Sequence, residues 1–220
     1  MHRIAVSGRT VLRVGIQIGT SGWSYPSWRP GFYPAGAKPA DFLSLYAQQF
    51  DTVELNTTAY RLPAPEQFER WAGTVPDGFT FAPKLAHAQP GRLRAFVDRI
   101  AGLGDRLGPI RVVVQSARDD DLLQRLLEAA GEEVKLALDF RHASWAGAAG
   151  VVAVNDFEAE PFRYIRLREP PHSDDELRRL AAALRPPAYV YFRHEDAPTA
   201  PAYATRLRAL LSGGEPAPCG

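Results

Sequence analysis

The chain has 220 residues, 45% of them hydrophobic, which is the size of one globular domain with a full core and too small for two. A formal net charge of +1 excludes nucleic-acid binding through bulk basicity, and a single cysteine, Cys219, excludes both a disulfide framework and a thiolate metal site. Residues 1–14 hold no apolar run suited to a signal peptide, and no stretch approaches the roughly 18 apolar residues of a membrane span, so a cytoplasmic protein without membrane contact is expected.

In chain order, eight short apolar or β-branched runs stand out: 14–19, 52–56, 79–84, 110–115, 135–140, 151–156, 162–167 and 188–193. Several are apolar on both faces, as strands between a barrel core and an outer helical layer are. Helical patterns alternate with them. Pro39 opens a helix bearing Phe42, Leu45 and Tyr46, and 90–103 forms another. Residues 119–130 place Leu122, Leu123, Leu126 and Leu127 on one face and stop at Gly131. Ser173 and Glu176 read as a capping box before Leu177, Leu180 and Leu184, with Pro186 and Pro187 as the stop, and 201–211 completes the set.

Strand and helix in alternation predict a parallel sheet, and eight strands predict closure into a TIM-type (β/α)8 barrel over 14–212. Residues 1–13 form an N-terminal extension and 213–220 a flexible tail. Only ten residues separate 140 from 151 and five separate 156 from 162, whereas a parallel crossover needs a dozen or more. The helices after strands 5 and 6 are therefore expected to be shortened or missing.

Polar residues gather at the carboxyl ends of these runs: Thr20, Ser21 and Trp23, then Glu54 and Asn56, Lys84, Gln115, then Asp139, Arg141 and His142, Asp156, Arg166, and finally Arg193 and His194. A parallel barrel brings such positions to one rim, where barrel sites lie. Glu54 and Asp139 inside apolar runs need partners, for which Lys84, Arg141 and Arg166 serve; a buried ion network with no chemistry explains them equally well. The aromatic loop Trp23, Tyr25, Trp28, Phe32 and Tyr33 offers stacking rings or, more ordinarily, a cap on the core. Residues 19–22 carry no phosphate-loop signature. His87, His142 and His194 follow different strands with no ligand spacing, so no metal is assigned and the cofactor is unknown. No serine occupies a nucleophile elbow.

Together these segments resemble the YecE-like family, catalogued as domain of unknown function seventy-two. The residues that carry the resemblance are Gly19-Thr-Ser-Gly-Trp-Ser-Tyr-Pro-Ser-Trp28, Val53-Glu-Leu-Asn-Thr-Thr58, Tyr60-Arg-Leu-Pro63, Trp71, Phe79-Thr-Phe-Ala-Pro-Lys84 and Asp139-Phe-Arg-His-Ala-Ser-Trp145. The resemblance runs from about residue 14 to 145, more faintly to 212. It implies a TIM-type barrel and a site at Glu54, Asn56, Tyr60, Arg61, Lys84, Arg141, His142 and Trp145, but no established activity. The chain departs from that pattern at Asp139, where glutamate is expected, at 116–118, at Arg166-Leu-Arg-Glu169 and at Tyr191-Phe-Arg-His194.

The leading expectation is a hydrolase or lyase acting on a small anionic or phosphate-bearing substrate. Lys84, Arg141 and Arg166 would bind the anion, Glu54 or Asp139 would be the general base, and His142 the general acid. Trp23, Tyr25, Asn56, Tyr60, Arg61, Gln115, Trp145 and Asp156 complete the substrate-binding set. The second expectation is a nucleic-acid-binding or nuclease-like protein stacking bases on Trp23, Tyr25, Trp28 and Tyr33. The third is a non-catalytic binding protein with an eroded site.

Overall fold

A computed structural model describes residues 15–213. The expected N-terminal extension, residue 14 of the first run, Cys219 and all but the first residue of the expected tail lie outside the described residues. The elements alternate: β1 (Ile16–Thr20), α1 (Phe42–Gln49), β2 (Thr52–Leu55), α2 (Pro65–Thr74), β3 (Thr80–Leu85), α3 (Pro90–Ile100), β4 (Ile110–Val114), α4 (Asp120–Ala130), β5 (Leu136–Phe140), β6 (Arg163–Leu167), α5 (Asp174–Ala183), β7 (Ala188–Phe192) and α6 (Thr199–Leu211). Every ladder between them is parallel, so the protein is α/β with parallel sheets. The helix ends follow the residues. Asp119 accepts from the Leu122 N–H at the start of α4, and Ser173 and Glu176 close the capping box of α5.

The strands form two sheets, β1-β7-β6 and β2-β3-β4-β5. Between β1 and β2 only the Ser21–Glu54 bridge pairs backbone, because a side chain occupies the seam. The Tyr46 hydroxyl accepts from the Thr20 N–H at 2.8 Å and donates to the Thr52 carbonyl at 3.0 Å, replacing a backbone pair with a two-bond link. Gly19 makes room for it. A Cβ there would lie 1.9 Å from the Thr52 oxygen and 2.8 Å from the Tyr46 hydroxyl.

One expected strand is absent. Of the run 151–156, Ala153 alone bridges to Leu138, with Leu138 N donating to Val152 O and Val154 N to Leu138 O, so the described residues hold seven strands instead of eight. The run breaks because Asn155 turns into the left-handed region at φ 69°, which asparagine tolerates better than the β-branched residues before it. Its carboxamide then takes the place of a strand edge: Oδ1 accepts from Arg166 N at 2.6 Å and Nδ2 donates to Arg166 O at 3.2 Å. Between β5 and β6 the only helical element is the short turn Ala143–Trp145, as the spacing predicted.

Two apolar clusters flank the strands. The larger packs their outer faces against the helices and the aromatic loop, and the smaller gathers Ala82, Ala137, Val152, Phe162, Tyr164, Tyr189 and Tyr191 on the inner faces. The helix α2 was not anticipated, although Pro65 at its first turn and Phe68 and Trp71 three apart are its signal.

Candidate functional site

Alternation along the strands sends Glu54, Arg111, Asp139, Tyr164 and Arg166 to the inner side, and Glu54, Arg111 and Asp139 are all but sealed from solvent. Ala82 and Ala137 lie in the same layer, with Ala137 paired to Arg111 in register, and their small side chains leave the long Arg111 room to reach upward. Every nitrogen of the Arg111 guanidinium donates. Nε donates to Glu54 Oε1 at 2.7 Å, Nη1 to Asp139 Oδ2 at 2.6 Å and Nη2 to Asn56 Oδ1 at 3.2 Å.

Each carboxylate is saturated in turn. Glu54 also accepts from Tyr164 Oη at 2.8 Å and from Arg166 Nε at 2.9 Å, while Asp139 accepts from Arg141 Nη2 and Arg168 Nη2, both at 2.8 Å. Burial alone would raise the Glu54 pKa, but Arg111 and Arg166 beside it, with the hydrogen bonds from Arg166 and Tyr164, hold it at about 2. A carboxylate in that state is a counter-ion and a poor proton acceptor at neutral pH.

Cations outnumber anions here. Arg111, Arg141, Arg166, Arg168 and Lys84 face Glu54 and Asp139, and Lys84 has no carboxylate within salt-bridge distance among the described residues. Its ammonium lies 5.5 Å over the Tyr60 ring, and burial followed by the nearby Arg111 charge lowers its pKa. Arg168 Nε is buried with no hydrogen-bond partner. A cavity of about 470 Å³ adjoins Arg166 and Arg168, and its other polar lining residues are Asn155, Glu169, His172 and Glu176.

His194 is held at the same end. Its ring stacks on Tyr25 at 4.5 Å, its backbone N–H donates to Ser21 Oγ at 3.0 Å, and its ring Nδ1 lies 3.4 Å from that oxygen. Burial, then Arg193 and Arg166, lower its pKa.

The expected residues thus divide. Glu54, Asn56, Asp139, Arg141 and Arg166 share one network with Lys84 in its field, and Tyr60, 86% exposed, covers the lysine. His142 is exposed and caps the turn Ala143–Trp145 by accepting from Ser144 N. Trp145 is buried on Phe140 and donates to Ser116 O. Gln115 and Arg61 are exposed, and Asp156, also exposed, accepts from Glu158 N. Of the rings expected to stack on bases, Trp23, Trp28 and Tyr33 are buried, and only Tyr25 is partly open. Arg111, Tyr164 and Arg168 were missed. A lone arginine before three valines in a buried strand carries the same signal as Glu54 and Asp139: a charge where only a paired charge is stable.

Among the described residues no group of three or more His, Cys, Asp or Glu is arranged to hold a metal ion, and no helix is long and apolar enough to cross a membrane. UPF0759 protein YecE of Escherichia coli strain K12 is 30% identical over 140 residues, 58% of this chain and 48% of that protein, and its counterpart in strain O157:H7 matches equally. The chain spans about half the length of these curated relatives. A crystal structure of a DUF72 family protein from Enterococcus faecalis V583 superposes with a TM-score of 0.70 at 16% identity, covering 90% of this chain and 97% of that one. The family model described as protein of unknown function DUF72 matches residues 17–160, and since that span holds Glu54, Arg111 and Asp139 as well as most of the strands, the chain belongs to this family.

Proposed function

We propose that the protein is an enzyme of the hydrolase or lyase type that binds a small anionic or phosphate-bearing substrate at the carboxyl ends of the strands of one closed TIM-type barrel. Closure is supported at both gaps between the sheets. The Ser21–Glu54 bridge and Tyr46 link β1 to β2, and residues 152–155 hydrogen-bond to β5 on one side and β6 on the other, serving as a vestigial eighth strand.

The observation that carries the anion reading is the surplus of cations held in place by two saturated carboxylates, with the Arg168 Nε–H buried and unmatched. Guanidiniums fixed in this way are preorganised donors for a phosphate or carboxylate, and no reorganisation is needed when it arrives. Glu54 and Asp139 then act as anchors for the arginines. Proton transfer falls to a histidine at the rim, with His194 preferred over His142 because it is packed against Tyr25 and next to Ser21.

Calorimetric titration of inorganic phosphate and phosphorylated metabolites tests the reading. Lys84→Ala and Arg141→Ala should each weaken binding by about tenfold or more, as loss of a charge-assisted contact does. Unchanged binding in both variants would refute the proposal.

A further inference from the structure

A second cavity, of about 510 Å³, opens between the loop after β1, the end of β2 and α2. Its size is that of a small-molecule site, roughly 300–1,000 Å³. The walls are aromatic and aliphatic: Trp23 and Trp71 meet edge to face at 5.1 Å, with Leu43, Leu55 and Tyr25 around them. Ser24, Thr57, Gln67, Arg70 and Thr74 bring the polar side chains, and the Arg70 guanidinium is turned to Gln67 Oε1 at 2.8 Å.

This cavity reaches the carboxyl end of β2 on the face turned away from the arginine network. Leu55 and Thr57 line it, while Glu54 and Asn56, one residue away on the chain, belong to the network. The link between the two is therefore made at Tyr25, whose hydroxyl lies in the fields of Glu54 and Arg166. Tyr25 is their common wall. Its ring lines the cavity and stacks on His194, and its hydroxyl donates to Ser21 O at 2.8 Å. Gly22, with φ +93°, is what allows this, since a Cβ there would lie 2.5 Å from the Tyr25 hydroxyl.

We infer that this cavity is the second compartment of the ligand site and receives a flat aromatic ring carried by the same molecule whose anionic group the arginines hold. The inference rests on the anion reading above and specifies its substrate class as an aryl phosphate or aryl carboxylate. Aromatic walls at right angles offer a ring both edge and face contacts, which an alkyl chain cannot use.

The test is calorimetry with inorganic phosphate, butyl phosphate, 2-naphthyl phosphate and 2-naphthol, with tryptophan fluorescence as a second readout. Naphthyl phosphate should bind roughly tenfold or more tighter than either inorganic or butyl phosphate, the gain expected from burying a ring, and should alter the emission of Trp71. Ala40→Trp and Thr74→Trp each plug the cavity from an exposed wall position, so folding is not at stake. In both, the aryl advantage should vanish while inorganic phosphate binds as before. Equal affinity for naphthyl and inorganic phosphate, or an advantage that survives both plugs, overturns the inference and leaves the anion reading standing. Naphthol binding with no phosphate binding at all sinks the anion reading and the link between compartments together.

Discussion

Arg111 Nε lies 2.7 Å from Glu54 Oε1 with both side chains almost completely removed from water, and each has one further ion-pair partner, Arg166 for Glu54 and Asp139 for Arg111. Removing one member leaves the other buried with a single ion-pair partner. Glu54→Gln and Arg111→Met are each expected to cost about 3–5 kcal/mol, because the lost Coulomb energy no longer offsets desolvation. Urea unfolding at pH 7 measures this; a loss under about 1 kcal/mol would mean the network is solvated and the site geometry described above is wrong.

The same carboxylate sets an acid limit. Glu54 is depressed to about 2 in the folded state against the ordinary carboxylate value of 4.5, so its contribution is present above pH 4.5 and is lost as pH falls toward 2. On the order of 3 kcal/mol should disappear across that window from this group alone. Denaturant midpoints between pH 7 and 2.5 check this, and in Glu54→Gln the part of the slope below pH 4.5 should flatten.

Tyr46→Phe should cost about 1–3 kcal/mol despite removing a single oxygen, since it leaves the buried Thr20 N–H and Thr52 carbonyl unpaired at the junction of the two sheets. Gly19→Ala should be worse. Its methyl would overlap the Thr52 carbonyl, so β1 and β2 would have to part. Amide exchange distinguishes the two effects: Tyr46→Phe should raise exchange at Thr20 locally, whereas Gly19→Ala should open β1 and β2 together.

Much of this was legible in the sequence. Seven strands fall on the apolar runs, and Glu54, Lys84, Asp139 and Arg166 stand out as charges within or ending them. The rest depends on contacts that no local pattern encodes. Val151 to Val154 reads as a strand from its β-branched residues, yet Asn155 turns the backbone and its side chain substitutes for the ladder. Trp23, Trp28 and Tyr33 belong to a loop by their neighbours and to the core by their burial; Tyr33 stacks on Phe42 at 4.2 Å, a relationship fixed only when the loop folds over α1. Arg111 was hidden by the valines after it, and its carboxylate partners come from two other strands.

Asn155→Ala is therefore expected to loosen the span between β5 and β6 without disturbing the other strands. It removes both carboxamide bonds to Arg166 and a side chain suited to the left-handed backbone, a combined loss of about 1–3 kcal/mol. Faster amide exchange at Arg166 and Val154, with β2 to β4 unaffected, is the expected pattern. Uniform destabilisation would show that 152–155 is integral to the whole sheet.

Lys84 provides the most direct link between electrostatics and ligand. Its pKa is lowered by burial and then by Arg111, and an anion placed among the rim cations opposes both effects by supplying negative charge. By linkage, a group whose pKa rises on binding takes up a proton from solution, so affinity must fall as pH rises through the depressed free-state value. Sulfate is the suitable probe because it does not titrate in this range. Its affinity for the natural protein should decline on the alkaline side, while Lys84→Met should bind more weakly and with a flatter pH profile there. Since Lys84 has no carboxylate partner to strand, the variant should unfold at nearly the natural denaturant concentration. A variant that keeps both the affinity and the alkaline decline would remove Lys84 from the site and leave the arginines to account for any anion binding.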